Sequence, residues 1–428
     1  MKRVNEMVAT DIANAIVDPR AYALWEISHK ALAELRRSEP VGMAQPDGYD
    51  PFWVITRYDD VQAVELKTDV FLHAPRPHIL VSRAEAQQNR LLTGGSESPS
   101  RSIARMDNPD HTSYRRITHG AFLPQNMRSL DGQIRELARA YIDHMLDVGE
   151  ECDFATDVAF MFPLRVIMAV LGIPPADAPL MLKLTQEIFG AADPELSRAK
   201  ASQAPEEMAK TRYEAVREIH DYFAQVTDAR RREPRNDLAS VIANSKIDGA
   251  ELGDLETASY YGVIATAGHD TTSSSLASAA WVLAERPDLL RTLQADLSLV
   301  PKMIEETLRW ETPVKHFMRT AATDVEIGGQ RINEGDWVMV SFPSANRDET
   351  KFDEPFQFDL ARSPNRHLGF GHGTHVCLGQ HLARLEMKVF LEELLPRLKT
   401  LELAGEPKRA AANLVCGPKA VPIRYKAA

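Results

Sequence analysis

The sequence predicts a mainly α-helical fold with small β-sheets, on three observations. Helix-period apolar patterns dominate after about residue 106, and one helical pattern runs for about 30 residues from near Leu255 to Glu285. Strand-like alternation is confined to short runs such as 52 to 57 and 324 to 342. The 428 residues, 44% hydrophobic and 26% charged, are those of an ordinary globular chain, long enough to bury a deep site. We expect a single domain over 1 to 428, with a β-containing portion over about 1 to 105 and a helix-rich body over about 106 to 428.

FWVITR (52 to 57) alternates like a strand, and YDDVQAVELK reads as a short helix after it. From Pro75 to Met106 the periodicity fades among prolines, serines and the Gly94-Gly95 pair, so a long irregular loop is expected. Loops of that length are often binding loops or lids, and a plain surface excursion is the equal alternative. Asn108-Pro109 reads as a helix start, a capping residue followed by proline in the first turn. Further helices are expected near 133 to 147 and 156 to 171. Two more, at 179 to 190 and 207 to 233, flank the polar, alanine-rich segment AADPELSRAKASQAPE; a weakly packed connection there would hinge as a lid, the alternative being an ordinary mobile helix hairpin. The long helix from Leu255 stops before Pro287, and its middle, IATAGHDTTSSS, is rich in residues that disfavour a helix interior. Alternation around Gly328-Gly329 predicts a hairpin.

The net charge of -11 argues against a broad nucleic-acid or anionic-membrane surface. Cys152, Cys377 and Cys416 are too few for a disulfide framework or a four-thiolate zinc site, and a reducing cytoplasm is the default compartment. The N-terminus lacks a signal-like apolar core, and FMFPLRVIMAVLGIPP is broken by Pro163 and Arg165, so it reads as a buried helix rather than a membrane span.

Four of the 13 histidines fall in HLGFGHGTHVCLGQHLARLE, between residues 367 and 381, a density that marks a metal or catalytic site. Cys377 follows a turn containing Gly369, Gly371 and Gly373 and precedes a helix, whose first N–H groups favour a thiolate. Three readings compete: a zinc set of His372, His375, Cys377 and His381, a Cys377 nucleophile paired with histidine, and a single thiolate ligand to haem. One thiolate among close-approach glycines suits the third best. In AGHDTT, the Thr271 hydroxyl is placed to bond back to the Ala267 carbonyl beside Gly268 and open a groove. With Asp270 beside it, the groove reads as a proton-delivery device, or as an inert helix packed by small residues. Glu306 and Arg309 share a helix face, and Arg362 would make them a buried triad that latches the structure.

Taken together and in this order, AGHDTT, Glu306 with Arg309, and FGHGTHVCLGQHLAR resemble the cytochrome P450 family of haem-thiolate monooxygenases. HTSYRR, PVKHFMRTA and SANRDETKF extend the likeness over most of the chain. The resemblance implies a triangular helical body around a buried haem b (iron protoporphyrin IX), with Cys377 as axial ligand to the iron and with Asp270 and Thr271 as catalytic residues. It implies His111, Arg115, Arg319 and His375 at the haem propionates, Phe370 near the thiolate, Gly371, Gly379 and Ala383 against the porphyrin, and Ala267 and Gly268 on its distal side. It makes the loop after Pro75 a channel rim and the helix pair near 179 to 233 a lid.

The implied reaction is hydroxylation of a small hydrophobic substrate, a monocyclic terpenoid or aromatic hydrocarbon, with O2 and two electrons. Ile264, Val314, Phe317 and Val415 are the candidate apolar contacts, with core packing as the alternative for each. No nicotinamide or flavin fingerprint occurs, so electrons come from outside. In bacterial relatives the usual donor is an iron-sulfur ferredoxin with a separate reductase, and a monomer is the family default. Arg115, Arg116, Arg128, Arg384 and Lys388 are candidates for its basic docking patch. A non-catalytic haem sensor and a peroxide-driven haem-thiolate enzyme are the alternative functions.

Overall fold

Five short strands from distant parts of the chain make the main sheet, in the order Val41–Ala44, Phe52–Ile55, Trp337–Ser341, His316–Ala321, Phe71–Leu72. This computed structural model describes residues 7–198 and 204–428. The alternation in FWVITR yields Phe52–Ile55, but all four residues are buried because the sheet is covered on both faces. Helix Tyr58–Leu66 follows as expected. Gly328 and Gly329, at φ 55° and 77°, form the turn joining Val325–Ile327 to Gln330–Ile332, since a tight hairpin turn needs positive φ.

The segment from Pro75 to Met106 departs from the expected loop. It contains the helix Arg83–Thr93, started by a reciprocal cap between Ser82 and Glu85 and ended by Gly94 in the left-handed region. Few apolar residues face the core from this helix, so periodicity missed it, while the Ser-x-x-Glu start signal was present. The helix expected at Asn108-Pro109 runs Asp110–His119 with Pro109 at its cap position, and no side chain caps it. The helix expected near 156 begins with a π turn, Ala155–Ala159, and continues as Met161–Leu171.

The largest hydrophobic core is built from helices, including Asp131–Val148, Met161–Leu171 and Gln380–Leu394. Through it runs the expected long helix, which is in fact two: Asp254–Ala267 and Asp270–Glu285, interrupted at Gly268 and His269. The Thr271 hydroxyl donates to the Ala267 carbonyl at 3.0 Å, as its spacing predicted. Gly268 is needed for a reason other than a groove: a Cβ there would lie 2.8 Å from Ile167, so the glycine lets two helices touch.

The two lid-region helices are Ala178–Phe189 and Pro205–Arg232. Part of their connection, 199 to 203, lies outside the described residues; the part before it is anchored, which corrects the expectation of weak packing. Asp193 is fully buried, accepts two bonds from the Lys419 ammonium at 2.9 and 3.0 Å, and takes the Ala411 N–H at 2.8 Å. Arg198 bonds Glu187 and Glu218.

The expected triad forms. Glu306 accepts from Arg309 at 2.7 and 2.8 Å and from Arg362 at 3.2 Å, with Asn365 and the Asp359 N–H completing its shell. Among the described residues no helix is long and apolar enough to cross a membrane.

Candidate active site

The helix break, the glycine-rich loop before Cys377 and the strand His316–Ala321 border one cavity. About 1440 Å³ free of protein atoms lies within its outline, part of it continuous with solvent.

The cysteine loop is a local construction. The Gly371 N–H donates to Leu368 O and the Cys377 N–H to Phe370 O, each at 2.9 Å, and Gly371 supplies a φ of 70° that other residues rarely adopt. Phe370 is held under the Arg384 guanidinium, 4.4 Å from the ring centre. Cys377 borders the cavity and its surface is open to it. Burial pushes its thiol pKa up; the Gly379 and Gln380 N–H groups and the cations of Arg115 and Arg384 oppose this without overcoming it. The helix start therefore helps the thiolate but does not create it, and a coordinated cation is what would complete the deprotonation. Among the described residues no histidine is hydrogen-bonded to Cys377 and no three metal-ligating side chains gather, so the nucleophile and zinc readings lack their partners.

Of the residues expected at the cofactor, Phe370, Gly371, Gly379 and Ala383 line the loop side and Ala267 and Gly268 the helix break. Arg115, Arg319, His111 and His375 line another part. There His375 is sandwiched between His73 at 3.6 Å and His111 at 3.7 Å, as a near-parallel stack. Burial, then Arg115, brings the His111 pKa down to about 4; burial, His111 and Arg319 bring His375 down to about 2. The permanent cations at this edge are thus the two arginines. Arg115 donates to Val376 O at 2.6 Å, and Arg319 is paired with Glu65. Thr271, Ile264, Val314 and Phe317 also border the cavity.

Two expected residues do not. Val415 pairs with Val314 through a β-bridge and is buried, but only Val314 borders the cavity. Asp270 turns away from the cavity toward His269, because the break re-aims the helix one residue before it. The expected basic patch also shrinks. Arg384 is tied to Glu305 and Lys388 to Glu392, while Arg115 faces the cavity; Arg116 and Arg128 remain exposed and without an ion pair among the described residues.

Sequence reasoning missed Glu65, His73, His269 and Glu386. Glu386 had a signal, being three residues after Ala383 on one helix face. It is fully buried at the cavity wall, burial pushes its carboxyl well up, and neither oxygen has a hydrogen-bond partner among the described residues. Glu65 and His73 come from a helix and a strand edge with no local signature.

The donor set fits haem: one soft thiol, two guanidiniums at the cavity edge for two carboxylates, and a buried His111 Nδ1 with no partner.

Comparison with known proteins agrees with this geometry. The family model described as cytochrome P450 matches residues 24–422. The chain is 46% identical to cytochrome P450-terp of Pseudomonas sp, covering 97% of each chain. It is 32% identical to the mycinamicin IV hydroxylase/epoxidase of Micromonospora griseorubida, covering 95% of this chain and 98% of that one. Among solved structures, CYP108D1 of Novosphingobium aromaticivorans superposes with a TM-score of 0.91 at 44% identity, covering 99% of this chain and 100% of that one. CYP268A2 of Mycobacterium marinum, in complex with pseudoionone, gives 0.88 at 31% identity with the same coverage.

Proposed function

This chain belongs to the cytochrome P450 family of haem-thiolate monooxygenases, and on that premise we propose that it hydroxylates a monocyclic terpenoid or an aromatic hydrocarbon of similar size. The observation that carries this reading is the apolar wall beside the helix break, made by Ile103, Val263, Ile264, Val314, Phe317 and Phe342. Such a wall selects by shape and apolar area, worth about 25 cal/mol per Å² buried. Similarity to P450-terp supports a terpenoid within that range.

Haem, when bound, would supply the O2-activating redox chemistry, held by the Cys377 thiolate with Arg115, Arg319 and His111 toward its carboxylates. The chain's own residues do the rest. Thr271 spends its one hydroxyl proton on Ala267 O, so its lone pairs are free to accept a hydrogen bond from water or a polar atom in the cavity. Asp270, adjacent in sequence, is the acid that renews protons at that water. The Asp193–Lys419 tie fixes the chain just after the first lid helix to the strand Pro418–Ala420.

Electrons come from an iron-sulfur ferredoxin served by a separate reductase, docking where Arg116 and Arg128 are exposed. The free thiols of Cys152 and Cys416 suit a reducing cytoplasm.

The experiment is a spin-state titration of the haem-loaded protein with monocyclic terpenes, alkylbenzenes and long-chain fatty acids. Saturable low-to-high-spin shifts with the first two sets are expected, followed by hydroxylated product when ferredoxin and reductase are added. A response to fatty acids alone would overturn the substrate reading.

A further inference from the structure

His269 interrupts the central helix and is completely buried, yet nothing in the reaction outlined above uses it. Its surroundings are specific. Nε2 lies 2.7 Å from the Phe160 carbonyl, and Nδ1 lies 3.1 Å from the Thr185 hydroxyl and 3.4 Å from Asp270 Oδ2. The Thr185 oxygen is also 3.0 Å from the Leu182 carbonyl. Asp270 Oδ2 is itself buried and has no hydrogen bond among the described residues.

Counting protons separates the possible states. A carbonyl only accepts, so Nε2 carries a hydrogen. If Nδ1 were bare, Thr185 would have to abandon Leu182 to serve it, and the buried Asp270 oxygen would face a lone pair. If Nδ1 carries a hydrogen as well, it donates to Thr185, Thr185 donates to Leu182, and the buried carboxylate gains an opposite charge 3.4 Å away. Only this arrangement leaves no polar atom opposed, and a buried charge is retained where it is paired and hydrogen-bonded.

We infer that His269 is held as an imidazolium and stores the proton that recharges Asp270, acting as a positioning residue behind the cavity. This rests on the reading of Asp270 as the proton-renewing acid. In the resting state Asp270 is ionised and turned toward His269. The transfer breaks the His269 Nδ1–H bond and forms an O–H bond on Asp270 Oδ2. It leaves a neutral imidazole still donating from Nε2 to Phe160, and no electrons move. The neutral carboxyl, no longer bound by charge, turns to the water beside Thr271 and gives up its proton there. His269 regains its proton from solvent when Thr185, on the first lid helix, moves away with Ala178–Phe189.

The test uses the haem-loaded protein. In its diamagnetic ferrous, carbon-monoxide-bound form, ¹⁵N NMR of labelled histidine is expected to show both His269 nitrogens protonated in the wild type and only Nε2 protonated in Asp270→Asn. His269→Gln is expected to keep the Soret spectrum and substrate affinity while lowering product formed per O2 consumed about 10-fold, less than the roughly 100-fold or more that loss of the acid–base group itself costs, because it acts through Asp270. It should add nothing further in the Asp270→Asn background, because it acts through that carboxyl. A neutral His269 in the wild type, or losses that multiply in the double variant, would overturn the inference. Normal turnover by Asp270→Asn would instead defeat the underlying proton assignment, and slow Asp270→Asn with normally coupled His269→Gln would defeat the storage role alone. If His269→Gln does not fold, the NMR comparison still decides.

Discussion

Arg319 and Glu65, 254 positions apart, form an ion pair with each side chain only 2% exposed, at the border of the cavity. The guanidinium that the cofactor's carboxylate would need already serves a protein carboxylate. Burial lowers the Arg319 pKa and Glu65 opposes that shift, so the pair stands as a unit in which an incoming propionate must share.

Replacing Glu65 by Gln removes one buried negative charge from that edge. Ferric haem carries one more positive charge than ferrous, so Glu65→Gln is expected to move the reduction potential to more positive values. Spectroelectrochemistry reads this directly, and an unchanged potential would mean that the carboxylate is not felt at the iron. Arg319→Ala should cost more stability than Glu65→Gln, because it leaves Glu65 buried and unpaired, at about 3–5 kcal/mol.

Cys377→Ser should fold and should lose the strongly red-shifted Soret band of the reduced, carbon-monoxide-bound protein, because an alcohol does not replace a thiolate donor. Retention of that band would remove Cys377 from the iron.

Glu306→Ala should lower stability by about 3–5 kcal/mol, since it strands the fully buried Arg309 and frees Arg362. Urea unfolding of the wild type and variant checks this. A loss below about 1 kcal/mol, the range of a solvated surface pair, would show that the triad is not a latch.

Acid should act through Glu305. Burial pushes its pKa up, but bonds from His367 and Arg384 outweigh that and bring it down to about 2 from the ordinary 4.5. A folded pKa below the unfolded one means that the stabilisation is present above about pH 4.5 and is lost as pH falls toward 2. Over that window the wild type should lose its stability advantage over Glu305→Gln, with both followed by thermal melts. Because Arg384 also covers Phe370, the cysteine loop should loosen over the same range.

Arg116→Glu should slow reduction by an iron-sulfur ferredoxin without altering substrate affinity, and the difference should shrink as salt rises. Stopped-flow reduction at two ionic strengths separates this from a local structural fault; equal rates would move the docking face elsewhere.

The expectations that the geometry met have a common property. The cysteine loop, the Glu306–Arg309 pair and the Thr271 back-bond each depend on residues within a few positions of one another, where helix and turn geometry alone set the distances. The departures are different in kind. Arg83–Thr93 is a polar helix whose start signal outweighed its weak periodicity. Asp270 lost its place at the cavity because the break at Gly268 and His269 redirected the helix, and Gly268 is required by a contact with Ile167 a hundred residues earlier.

The sequence by itself determined the helical class, the thiol that faces the cavity and the Thr271 back-bond to Ala267, because those are properties of short stretches of backbone and their side chains. Only the tertiary structure decided that Glu65 occupies Arg319, that three histidines stack, and that His269 sits between Phe160 and Thr185. Each of these contacts joins elements far apart in the chain, so the burial and charge that give those residues their chemistry arise from packing and leave no pattern in the local sequence.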